Sequence, residues 1–109
     1  MGTVKLLERT WQFLQEPLLG EQDPDAKICF LLEGEYLRRL GRYHRQDRIL
    51  TQKYGMSFDD FIARRVVRQG GYTWEAETDA MNWETAVDGI RTMERKLQEL
   101  RSLDRVQYG

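Results

Sequence analysis

The sequence predicts an all-α fold: an antiparallel helical hairpin of two long helices with a short connecting helix, preceded by a short N-terminal helix. Three observations predict it. Apolar residues recur at alternating spacings of three and four along two long stretches, the signature of helices with one buried side. Between these stretches, "KYGMSFDDF" carries a helix stop followed at once by a helix start. Both prolines, Pro17 and Pro24, lie in the first quarter, so neither long stretch is interrupted after its start.

Taken in order, the 109 residues read as one domain. Residues 1–24 hold a short helix, Thr3 to Gln15, with Leu7, Trp11 and Leu14 on one side, and then the linker "EPLLGEQDPD". A helix of that length is marginal alone, so it is expected to be mobile or to pack on a partner. Residues 25–54 form the first long helix, with Asp25 as its cap. Tyr36, Leu40, Tyr43, Leu50 and Tyr54 make its seam, and Asp47 fills one slot. Gly34 and Gly41 each weaken this helix by roughly 1 kcal/mol relative to alanine. Each marks either a kink or a place where another helix comes close. "ICFLL", residues 28–32, has no second strand to pair with and is read as helix.

Gly55 ends the first long helix in a left-handed conformation. Ser57 caps the next helix, Asp60 approximates a capping box, and Met56 with Phe61 forms a hydrophobic staple. This connector, residues 57–69, buries Phe58, Phe61, Ile62 and Val66 and stops at Gly70 and Gly71. Residues 73–105 form the second long helix. Its seam is Trp83, Ala86, Ile90, Met93, Leu97 and Leu100.

Composition narrows the functional classes. One cysteine, Cys29, excludes an internal disulfide and a thiolate metal cluster, and it is read as a core residue. The one histidine, His44, lies among arginines that repel cations, so no metal ligand set is expected and His44 is a surface residue. "RQGGYTW" lacks the lysine and the strand of a phosphate loop. No cofactor is expected, and no residue set suggests an enzyme. No apolar run reaches membrane length, and the start lacks the features of a signal peptide, so a cytoplasmic protein with no membrane contact is expected.

The net charge of −1 hides a block pattern. Residues 38–68 are strongly basic, while residues 69–89 hold five acids and nothing basic. On the second long helix, Glu77, Glu84 and Asp88 share a stripe with Trp74 and Met81, roughly opposite Ile90. Acids this close to a helix start suit its dipole, which accounts for Glu75 and Glu77 but not for Glu84, Asp88 or the inset apolar residues. Trp74 either anchors a partner or folds back onto Phe58 and Phe61. Asp79 falls on the seam side, as a polar contact at the end of the seam or as half of a pair with an arginine. In the basic block, Arg38, Arg42 and Arg45 face away from the Tyr36/Leu40 seam and are candidate phosphate contacts for nucleic acid.

The order "LTQKYGMSFDDF", a short basic segment, the pattern E-x-D-x-x-x-WE in "EAETDAMNWETA", and a leucine-spaced charged helix resembles the small helical antitoxin-type proteins of prokaryotic toxin–antitoxin pairs. The resemblance covers roughly residues 36–103 and leaves residues 1–30 outside it. It implies a non-enzymatic partner of a small basic toxin. Glu77, Asp79, Trp83 and Glu84 match the shared element, and helix geometry adds Trp74, Met81 and Asp88 to the partner-binding set. It also implies that the basic block serves either dimer contacts or operator DNA. Beside this stands a second expectation: a homodimeric helical scaffold or regulator with Ile90, Met93, Leu97 and Leu100 as its dimer seam.

Overall fold

The computed structural model of the chain describes residues 5–16 and 23–108, and side chains as far as residue 103. The start of the expected N-terminal helix, residues 3–4, and the middle of the expected linker, residues 17–22, lie outside the described residues. The described residues are helical apart from short turns: α1 (Glu8–Leu14), α2 (Pro24–Tyr54), α3 (Phe58–Ala63), α4 (Val66–Gln69) and α5 (Trp74–Tyr108). At about 1.5 Å per residue, α5 alone spans roughly 52 Å, which sets the 56 Å long dimension of the molecule.

The ends of α2 follow from its capping residues. Asp23, not Asp25, caps the helix: its carboxylate accepts from the Ala26 N–H at 2.9 Å, and Pro24 occupies the first helical position. The correction has a physical reason. Proline suits the first turn, where an N–H would be orphaned, so the cap falls on the residue before it. At the other end Gly55 takes φ 65° and its N–H bonds the Thr51 carbonyl, as expected.

The connector differs from the single helix expected over residues 57–69. Ser57 does cap α3, accepting from the Asp60 N–H at 3.2 Å. Arg65 then adopts φ 51°, a left-handed conformation, and splits the segment into α3 and α4. No glycine or proline announced this break. Gly71 at φ 80° and Tyr72 at φ 57° turn the chain into α5. There the Thr73 hydroxyl accepts from the Ala76 N–H at 3.2 Å.

The cross-helix pairs between α2 and α5 run in opposite order. Lys53 meets Asp79, Asp47 meets Trp83, Tyr43 lies against Gly89, and Glu33 meets Arg101. Rising numbers on α2 match falling numbers on α5, so the two helices run antiparallel. The best-packed core sits at the connector end. Leu50, Phe61 and Trp83 are buried together, with Tyr54, Met56, Phe58, Val66, Val67, Ala80 and Val87 packed around them. The rings of Tyr54, Phe58 and Phe61 surround Trp83 with centroids 5.0–5.9 Å away. Such a cluster stabilises by area burial and by about 0.5–1.5 kcal/mol per well-oriented aromatic pair. Met56 packs against the cluster that holds Phe61, its expected staple partner.

Farther along α5, Ala86, Met93, Leu97 and Leu100 are buried and Ile90 is half-buried within the single chain. The seam expected between two copies is therefore closed by the chain itself. The reason is one of register: the α2 seam of the same chain reaches it first, through a short connector. At the far end, α1 is tied back through Lys27, a buried lysine whose ammonium donates to the Leu14 carbonyl.

Candidate functional site

The acidic stretch that begins α5 divides into two faces with different partners. Glu75 and Asp79 turn toward α2. The Lys53 ammonium donates to both, at 2.6 Å each, and the Tyr54 hydroxyl donates to the same Asp79 oxygen at 2.6 Å. Asp79 is thus a polar contact at the end of the seam, and its cation is a lysine rather than an arginine. Burial alone would raise its pKa, but the bonds from Lys53 and Tyr54 outweigh burial and hold it below the usual value. The Tyr54 hydroxyl is pushed up to about 12, by burial first and then by its bond to Asp79. Lys53 is raised by its bonds to Asp79 and Glu75.

The other face points to solvent. Trp74 is 81% exposed and Met81 is 68% exposed. They stand seven residues apart, two turns of one helix, so both lie on the same side. Glu77, Glu84 and Asp88 are exposed beside them. Among the described residues these three acids make no ion pair within the chain. Trp74 does not fold back onto Phe58 and Phe61; Trp83 fills that place. Trp83 is 0% exposed, with its indole N–H donating to Asp47 at 2.7 Å. It cannot touch a partner of the folded chain, and its place in the partner-binding set is corrected to a core role. Its spacing from Trp74, nine residues, puts the two indoles on opposite sides of α5, which explains the split.

No family model, curated protein or solved structure matches this chain.

The basic block is partly spent inside the chain. Arg38 and Arg39 bond Glu35 at 3.0 and 2.9 Å, and Arg42 lies 4.0 Å from the same carboxylate. Bonds from Arg39 and then Arg38 hold the Glu35 pKa low. Arg45 is exposed and makes no ion pair among the described residues. A groove beside the connector is lined by Asp47, Thr51, Ser57, Asp59 and Arg91. Two of its polar groups have structural tasks: Asp47 receives Trp83 and Thr51, and Ser57 caps α3. Among the described residues no three His, Cys, Asp or Glu side chains converge to hold a metal ion, and no helix is long and apolar enough to cross a membrane. Cys29 is half-buried and His44 is exposed.

Two contacts were missed in the sequence. Lys27 with Leu14 left no signal, because a lysine one turn into a helix reads as surface. Lys53 with Asp79 did leave one. Asp79 falls on the seam side of α5, where an acid calls for a cation or hydroxyl on the facing helix, and Lys53 and Tyr54 end that helix.

Proposed function

We propose that the protein is a non-enzymatic binding protein of the antitoxin type. It engages a small basic partner protein through the outer face of α5. One observation carries this reading: Trp74 and Met81 stand exposed among Glu77, Glu84 and Asp88, three acids that no cation among the described residues claims. Covering an exposed tryptophan removes on the order of 150–250 Å² of mostly apolar surface from water, worth several kcal/mol at about 25 cal/mol per Å². Tryptophan is the favoured anchor of binding hot spots. Acids around it steer a basic surface in and set its register. The likeness of the "KYGMSF" turn and the E-x-D-x-x-x-WE element to antitoxin-type proteins supports a small toxin as that partner. In that element Asp79 and Trp83 hold α5 in place, and Glu77 and Glu84 present charge.

The test is co-purification of the tagged chain with the product of the reading frame beside its gene. A stoichiometric basic partner, toxic when made alone, is expected. The pair Glu84→Lys with Asp88→Lys should keep the helical signal and lose that partner. Retention of the partner by the folded double variant would overturn the reading.

A further inference from the structure

A second face remains after the core and the acidic stripe are accounted for. On α2, Phe30, Gly34, Leu37 and Gly41 follow spacings of four, three and four, which places them on one stripe. The seam residues Tyr36, Tyr43 and Leu50 lie on another side of the helix. Phe30 is 65% exposed, and Leu31 and Leu37 are each close to half exposed. Phe30, Leu31, Gly34 and Leu37, with Glu33 and Arg38, line a shallow groove. Among the described residues nothing explains the glycines. A Cβ added at Gly41 would meet nothing within 4 Å, and one at Gly34 would meet only the flexible end of Arg38. Gly89, by contrast, is required by the Tyr43 ring of its own chain.

We infer that this stripe is a homodimer interface, in which α2 of a second copy packs antiparallel across residues 30–41. The stripe is complementary to itself. Its two large residues are one heptad apart, its two glycines are one heptad apart, and the sets are offset by four. A two-fold axis midway between Gly34 and Leu37 sets Phe30 over Gly41 of the second copy and Leu37 over Gly34 of the second copy. Phe30 finds open space at Gly41, and Leu37 finds Gly34 once the flexible Arg38 guanidinium that lies over it swings aside. A parallel pair would instead stack phenylalanine on phenylalanine and bring the basic residues 42–48 of both copies together.

The area is that of a weak association. Phe30, Leu31 and Leu37 expose on the order of 300 Å² of apolar side chain per copy, given about 150–250 Å² for a whole aromatic side chain. Two copies together bury about 600 Å² through these residues, less than the roughly 1,200 Å² of a standard specific interface, so the dimer forms only at the upper end of the concentration range. Arg38, on the rim, already holds Glu35 as its counter-charge. The interface leaves the outer face of α5 uncovered, so it is independent of the partner proposed there.

Sedimentation of the full chain alone, from 1 to 100 µM in order of magnitude, tests this. A species of twice the 13.0 kDa chain mass is expected at the upper end. Gly41→Leu fills the hole from an exposed position where an added Cβ meets nothing within 4 Å. It should leave the helical signal and melting temperature at least as high, and weaken the dimer by tenfold or more. Leu37→Glu, which removes the facing knob, should do the same. A wild-type chain that stays at 13.0 kDa throughout overturns the inference, and so does an unweakened dimer in either folded variant.

Discussion

The indole N–H of Trp83 donates to the Asp47 carboxylate at 2.7 Å, from a side chain that is 0% exposed. This bond explains why an acid occupies a slot in an otherwise apolar seam. A buried indole needs an acceptor, and α5 has no backbone carbonyl free to serve, since its own ladder uses them. Asp47→Leu should therefore destabilise the fold by about 1–3 kcal/mol in urea unfolding, the usual cost of orphaning a buried donor. Asp47→Asn keeps an acceptor and should cost clearly less. Equal losses for the two would mean that the carboxylate, not acceptance of the N–H, matters at this slot.

The two tryptophans of α5 should behave in opposite ways. Trp83→Ala removes the centre of the aromatic cluster and should cost about 3–5 kcal/mol. Trp74→Ala touches a side chain that is 81% exposed and should stay within about 0.5 kcal/mol of the parent. Thermal melts of the two variants decide this. A large loss at Trp74 would place that indole in the core of the chain and remove it from the proposed binding face.

Helix approach sets the third expectation. A methyl group at Gly89 would fall 2.5–2.7 Å from three carbons of the Tyr43 ring. Gly89→Ala should destabilise the fold by up to about 2 kcal/mol, because overpacking of about 1–3 kcal/mol is only partly offset by a helix-propensity gain of about 1 kcal/mol. With Tyr43→Ala present the clash is gone, and the same substitution should stabilise. A sign that fails to reverse would show that the ring is not what demands glycine there.

Much of this architecture was legible. The apolar spacings gave both long helices, and Gly55, Ser57 and the Met56/Phe61 staple marked the turn between them, because these are local signals with a physical cause in neighbouring residues. What could not be read was which surface covers which. The Ile90 to Leu100 stripe has the same pattern whether α2 of the same chain or a second copy lies on it. Spacing already set Trp83 on the seam and Trp74 on the opposite stripe, and it was the E-x-D-x-x-x-WE element that drew Trp83 into the partner-binding set. The break at Arg65 was invisible because a left-handed arginine carries no compositional mark.

The Lys53–Asp79–Tyr54 contact makes stability depend on pH at both ends. Asp79 has a lowered pKa, so its contribution is complete above its unfolded value, about 4, and is lost as pH falls through the lower folded value. Lys53 is raised, so its contribution is complete below its unfolded value, about 10.4, and is lost as pH rises beyond it. Tyr54, raised to about 12, stops donating over the range from its unfolded value of about 10 up to that point. The melting temperature should be level between about pH 5 and 9 as far as this trio is concerned. Asp79→Asn should lower that plateau and flatten the fall below about pH 4. An acid limb as steep in Asp79→Asn as in the parent would assign it to other carboxylates.

Lys27 gives the last expectation, at the far end of the hairpin. α1 has seven residues and is too short to be stable by itself, so its order depends on what holds it. The held points are the buried Leu14 and the bond from Lys27 to the Leu14 carbonyl. Lys27→Met keeps an unbranched apolar stem and removes the donor. A hydrogen bond from a charged donor is worth about 1.5–3 kcal/mol, so amides of residues 11–15 should exchange with solvent at least about tenfold faster. Exchange in the middle of α2 and α5 should not change, since opening α1 disturbs neither the Trp83 cluster nor the Lys53 contact. Equal acceleration throughout the chain would instead make α1 part of one cooperative unit with the hairpin, and unchanged exchange at residues 11–15 would mean that Leu14 burial alone holds it.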